Sequence, residues 1–200
     1  MINIYFYYSF IIGLLIIIIG IYISTTDLFI EYKTSPFNNK LYGIQEIFSD
    51  THIAIELLSK IHDKMLEYSD VLKSTYPTDE RVIRLYEKLH STKIEEAPFE
   101  NNTSSYTINK GELMAICLRP HDIENKYLSN FHDENTLWFV VSHEMAHIMS
   151  LSEGHNSEFV NNFKFILQTS HQLGFYNNPV NYKTNPITYC GVNVTNNPFY

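Results

Sequence analysis

The sequence predicts an α+β fold preceded by one apolar helix, on three observations. Residues Met1 to Thr26 carry no charged side chain. Beyond them, apolar residues recur at helical spacing in several segments, and short strand-like runs bounded by turn residues lie between and after those segments. With 200 residues, 44% of them hydrophobic, the chain has room for one folded domain with its own core, and two would be a squeeze. The net charge is −8, and from Asn101 to Tyr200 five Lys or Arg face eight Asp or Glu. No basic stripe is left to track phosphates, so direct nucleic-acid binding is not expected.

Taken in order, the first element is "FIIGLLIIIIGIYI", Phe10 to Ile23, with Tyr5, Tyr7 and Tyr8 upstream. Roughly 20 apolar residues span a bilayer, and aromatic residues favour its interface. The absence of a basic leader and of a small-residue cleavage site favours a retained anchor over a signal peptide. The expectation is therefore a single-pass membrane protein with a transmembrane anchor over residues 1–26. Its side of the membrane is undetermined. Lys33 and Lys40 lean towards a cytosolic domain, whereas the acceptor patterns at Asn101, Asn102 and Asn193 would matter only in a secretory lumen. Residues 27–43, with Pro36, Asn38, Asn39 and Gly43, have the composition of a stalk. The domain is then expected over 44–200.

Within that domain Ile47, Ala54, Leu58, Ile61 and Met65 predict a long amphipathic helix from Ile44 to about Lys73, broken near Asp50. Pro77 and Thr78 open a second helix with Thr78 as its N-cap and Val82, Leu85, Tyr86 and Leu89 on one face. "SYTINKGELMAICLR" reads as a hairpin turning at Asn109, Lys110 and Gly111. Pro120 to Asp133 has no period and reads as a loop. A helix follows from Asn135 to about Leu151, capped by Asp133 or Asn135, and another from Asn156 to Leu173, stopped by Gly174. "ITYCGVNV", Ile187 to Val194, is a last strand candidate. Cys117 and Cys190 are too few and too far apart for a disulfide scaffold or a cysteine zinc site. Two small buried residues are the favoured expectation for them, with one disulfide open in an oxidising compartment.

The chemistry concentrates in "HEMAH". His143 and His147 are four residues apart on a helix, so both rings can reach one ion, and Glu144 beside them can act as general base for a metal-bound water. Catalytic zinc takes three protein ligands and leaves a fourth position to water. His155, straight after Gly154 and just before the next helix, is the favoured third ligand. Glu153 and Glu158 remain alternatives, as ligands or as partners of an imidazole N–H. Tyr189 is a candidate oxyanion donor. The other histidines, His52, His62, His90, His121, His132 and His171, show no ligand spacing.

These residues carry a resemblance. "HEMAHIMSLSEGHNSEF" resembles the H-E-[LM]-x-H... H-[NS]-x-x-F signature of WLM, SprT and YgjP-like zinc metallopeptidases. The whole of Ser104 to Tyr200 is similar to metallopeptidases of large DNA viruses. The resemblance implies a minimal zincin-like core, a small sheet with an active-site helix and the helix after it. It implies peptide hydrolysis, His143, His147 and His155 as Zn2+ ligands, and Glu144 as the base. One departure stands out: the third histidine follows the second by eight residues where that family usually has six, so the "SLSEG" turn must hold two more. The substrate linked to that family, protein crosslinked to DNA, does not suit so acidic a domain.

The resulting expectation is a membrane-anchored zinc metalloendopeptidase acting on a protein or peptide, with substrate added as a strand beside "ELMAICLR". The alternative is a non-catalytic, zinc-stabilised binding domain displayed at a membrane.

Overall fold

Two five-residue strands, β1 (Ile30–Thr34) and β2 (Leu41–Gln45), pair antiparallel around a turn at residues 35–40. They belong to a computed structural model that describes residues 8–18, 30–98, 104–120 and 130–200. This hairpin replaces the expected stalk over 27–43, and the domain starts no later than Ile30. Pro36, Asn38 and Asn39 build its turn and not a linker. Gly43 lies inside β2, where a Cβ would stand 2.7 Å from the Cβ of Glu95 and 2.9 Å from Ile30 Cγ2. Only glycine admits so close an approach of three strands.

Of the expected anchor, residues 8–18 are described and form a helix, α1; the rest of residues 1–26 lies outside the described residues. Among the described residues no helix is long and apolar enough to cross a membrane. The single-pass membrane placement is corrected on that ground and is not carried further.

The break expected near Asp50 is real, but the chain before it is strand β2 and not helix. Helix α2 (Thr51–Thr75) starts after Asp50 and buries Ala54, Leu58, Ile61, Met65, Tyr68 and Leu72, the three-and-four spacing of one helix face. Helix α3 (Glu80–Leu89) is capped by Asp79, one residue past the expected Thr78, whose carboxylate accepts from the Arg81 N–H at 2.9 Å. Strand β3 (Lys93–Glu96) then enters the sheet, followed by the hairpin of β4 (Tyr106–Ile108) and β5 (Leu113–Ile116). That hairpin turns where expected. Gly111 has φ +103°, and a Cβ there would meet Ile148 Cδ1 at 3.2 Å, so the turn lies tight against the histidine-bearing helix.

The sheet order is β1-β2-β3-β5-β4, with β2, β3 and β5 parallel and the two outer pairs antiparallel. Strand β5 is interior, so "ELMAICLR" offers no free edge; the edge strands are β1 and, next to β5, β4. Helix α2 packs on β2 and β3, α3 on α2 and α4, and α4 (Glu134–Met149) on α5 (Ser157–Gln172) and β4. The chain ends in a separate hairpin, β6 (Ile187–Tyr189) and β7 (Val192–Val194). This mixed α+β arrangement agrees with the fold class expected of the domain. The expected loop over 120–133 is described only at its ends.

Two buried polar features organise the core. Arg119 is 5% exposed and bonds Glu96 Oε1 through Nε at 2.7 Å and Asp50 through Nη1 at 2.6 Å, with Phe48 and Phe131 over its guanidinium. Cys117, just past β5, and Cys190, in the β6–β7 turn, form a disulfide. This corrects the expectation of two unlinked buried residues: their Cα atoms, 73 residues apart in sequence, stand 6.5 Å apart, within bonding range.

His62, far from the other chemistry, gives a stability prediction. Its Nδ1 stands 3.0 Å from the Tyr42 hydroxyl, and it is 7% exposed. Burial lowers its pKa to about 4, with Lys40 and His90 adding to the shift and Asp63 opposing it. The folded value lies below the unfolded 6.5, so below that pH the unfolded chain takes up a proton that the native state refuses. Stability is thus fully present above pH 6.5 and is lost as pH falls towards 4. Urea unfolding should show about 2 kcal/mol less stability at pH 5 than at pH 7 from this residue. His62→Gln should remove that part of the slope, and an unchanged slope would contradict the assignment.

Candidate metal centre

Helix α4 is buried on nearly every side, and most of its side chains are apolar. From Thr136 to Ser150 every residue is buried except His143 and His147. These two form a short polar stripe on one face, and the core fixes the backbone beneath them. Asp133 caps the helix, accepting from the N–H groups of Asn135 and Thr136 at 3.0 Å each.

His155 reaches the same point from the turn between α4 and α5. Gly154, at φ +77°, turns the chain back, and the loop is braced from the next helix. The Glu158 carboxylate accepts from the N–H of Leu151 at 2.8 Å and of Ser152 at 3.0 Å, and from the Ser152 hydroxyl. These bonds hold its pKa down at about 2, the Ser152 hydroxyl contributing most. Lys110 Nζ donates to the Ser152 carbonyl, and Asn156 Nδ2 to Ser152 Oγ at 2.7 Å.

The three imidazoles converge through the same atom. Nε2 of His143 lies 3.0 Å from Nε2 of His155 and 3.3 Å from that of His147, and the third distance is 3.1 Å. Nitrogens around a tetrahedral zinc at ~2.0–2.1 Å stand roughly 3.3 Å apart, so the triad fits one such ion with little adjustment. Burial, reinforced by the neighbouring imidazoles, lowers His143 to about 3. His147 is lowered to about 4 by burial, His155 and Lys110. Both are neutral at pH 7, with lone pairs available. Phe159, one turn into α5, packs its ring 4.3 Å from His147 and 4.7 Å from each of the other two.

Glu144 is 3% exposed and lines the same cleft as His143, His147 and His155, and Thr107 Oγ1 on strand β4 donates to its Oε2 at 2.9 Å. Burial raises its pKa to about 7, against the pull of the Thr107 bond. A cavity of about 500 Å3 borders Glu144, His143 and His155 and runs between α4, α5 and the C-terminal hairpin.

The other candidates are placed differently from expectation. Glu158 is a loop brace and not a ligand. Glu153 is exposed and faces Lys110 at 3.4 Å. Tyr189 lines the cavity, but its hydroxyl donates to the Cys117 carbonyl at 2.6 Å. Ser105 Oγ, 2.7 Å away, then supplies the proton of that second contact and itself accepts from the Cys117 N–H. The single Tyr189 proton is committed to the backbone, so the oxyanion role is corrected. Of the remaining histidines, His132 Nε2 lies 3.4 Å from Cys190 Sγ, in a second cluster with Cys117. Its sulfurs are joined to each other, and the thiolate is the metal-binding form of cysteine.

Sequence reasoning gave no role to Thr107, Ser105 or Phe159. A lone Thr or Ser in a three-residue edge strand leaves no pattern to read. Phe159 did carry a signal: it is the phenylalanine that closes the H-[NS]-x-x-F pattern four residues after His155.

The chain is 28% identical over 168 residues to an uncharacterized protein of Acanthamoeba polyphaga mimivirus, covering 81% of each. It is 33% identical over 84 residues to an uncharacterized protein of Invertebrate iridescent virus 6, 42% of each chain. It is 36% identical over 72 residues to one of Invertebrate iridescent virus 3, covering 36% of this chain and 42% of the relative. These relatives belong to large DNA viruses. No protein-family model and no solved structure matches the chain.

Proposed function

We propose that this protein is a zinc-dependent metallopeptidase with a zincin-like core. The observation that carries the reading is the convergence of three Nε2 atoms within 3.0–3.3 Å beside a buried carboxylate. His143, His147 and His155 hold the metal. Zinc bound there supplies a Lewis acid that lowers the pKa of a bound water towards ~7 and polarises a carbonyl. Glu144 accepts the proton of the attacking water and returns it to the leaving amine. Thr107 holds the carboxylate in one rotamer through Oε2, leaving Oε1 for the proton. Edge strand β4 brings a substrate backbone alongside this carboxylate by strand addition.

The resemblance of His143 to Phe159 to the WLM, SprT and YgjP-like signature supports the same reading. Three ligands and an adjoining cavity also suit catalysis better than the alternative of a structural, binding-only zinc domain, because structural sites are closed by four protein ligands.

Metal content of the purified full chain, beside its His155→Ala variant, tests this. About one zinc per chain is expected. The variant should bind it more weakly by more than the ~10–100-fold that changes to outer-shell partners already cost. Full affinity in the variant would remove His155 from the ligand set. A folded protein that takes up no zinc on reconstitution would overturn the metallopeptidase reading.

A further inference from the structure

The cavity beside the triad is not used by the mechanism above, and its lining is selective. Phe139 and Val140 lie one helical turn before His143 on the same face of α4. Val160 and Phe163 from α5 form a second wall, and Val192 and Val194 from the C-terminal hairpin a third. Among the described residues, the remaining lining groups away from the histidines are uncharged, and no Lys, Arg or Asp is among them. About 500 Å3 is far larger than a packing defect and falls within the ~300–1,000 Å3 of small-molecule sites. The space is continuous with His143, His155 and Glu144, so a group seated in it is tethered within reach of the reacting centre.

We propose that this cavity is the specificity pocket of the site and takes a large apolar side chain, aromatic or branched, from the substrate residue adjoining the scissile bond. The proposal rests on the peptidase reading and deepens it by naming the substrate class. Charged side chains are disfavoured because the described lining away from the histidines offers no opposite charge to offset their desolvation, only the hydroxyls and amides of residues such as Ser104, Asn193 and Thr195 at its polar parts. Small ones are accepted weakly because they leave apolar wall exposed to water. Val160 and Val192, 42% and 44% exposed, sit at the rim, where a substitution can alter the lining without disturbing the core.

The test uses the zinc-loaded full chain and fluorogenic peptides that differ only in the residues flanking the cleaved bond. Phe or Leu at one of these positions should exceed Ala or Asp by roughly 10- to 100-fold in kcat/KM. Val160→Lys and Val192→Lys, each with an unaltered melting profile, should shrink that ratio at least tenfold and raise the relative rate of an Asp or Glu peptide. Independently of turnover, N-acetylphenylalanine amide should perturb the methyl resonances of Val160, Val192 and Val194 in metal-free protein, and N-acetylalanine amide should not. Cleavage without preference, or a preference that neither rim variant moves, overturns the pocket and leaves the peptidase standing. Failure to cleave any peptide overturns the peptidase reading and the pocket with it.

Discussion

Glu144→Gln is expected to lower peptide hydrolysis by ~10²–10⁴-fold, the usual contribution of a positioned general base, while zinc content stays that of the wild type. Glutamine has the shape of glutamate, and its carbonyl oxygen can still accept from Thr107 Oγ1, now 2.9 Å from the carboxylate. It cannot take up the proton of a nucleophilic water. The side chain is buried and, among the described residues, makes no ion pair that the substitution would break, so thermal stability should change little. Metal analysis and steady-state kinetics on one preparation separate the outcomes. Equal turnover by the variant would remove Glu144 from the chemistry. Loss of zinc together with turnover would mean that the substitution damaged the site and not the proton transfer.

A second large effect is expected away from the histidine triad. Arg119→Met should cost about 3–5 kcal/mol, the range for removing one partner of a buried ion pair. Glu96 is 1% exposed and Asp50 6% exposed, and each pairs with the same guanidinium. Burial already pushes the Glu96 carboxyl up even with Arg119 beside it, and without that cation the chain must either protonate Glu96 or open the core to water. The loss is a large fraction of the ~5–15 kcal/mol that holds a typical domain folded. Urea denaturation should show it, and the double variant Arg119→Met, Glu96→Gln should recover part of it. A cost below about 1 kcal/mol for Arg119→Met would mean that the cluster is more hydrated than its burial indicates.

The same cluster explains why part of the sheet was illegible in the sequence. Strand β3 reads "KIEE", half of it acidic, and nothing in that pattern announces an interior strand. Glu95 is accommodated by the Tyr32 hydroxyl at 2.7 Å and Glu96 by Arg119, partners 63 and 23 residues away. Hairpin β1–β2 was hidden for a related reason: its turn residues are those of a linker, and only the pairing with β3 distinguishes the two. The elements around the histidine triad were far easier to read. Helices α4 and α5 carry local signals at both ends, Asp133 and Asn156 as caps and Gly174 as a stop, and Gly111 fixes the β4–β5 turn. His143 and His147 needed only helical geometry. The placing of His155, Glu153 and Glu158 needed the loop, because it turns on which side chain braces backbone N–H groups and which stands beside His143 and His147. Nor could sequence reveal that Tyr189 gives its proton to a carbonyl.

The Cys117–Cys190 bond has a bearing on durability. It makes the chain between those residues a covalent ring, and all three histidines and Glu144 lie on it. A single backbone nick anywhere along that ring would open it without parting the fragments, so a protein proposed to cut other chains could suffer one such cut and remain one molecule.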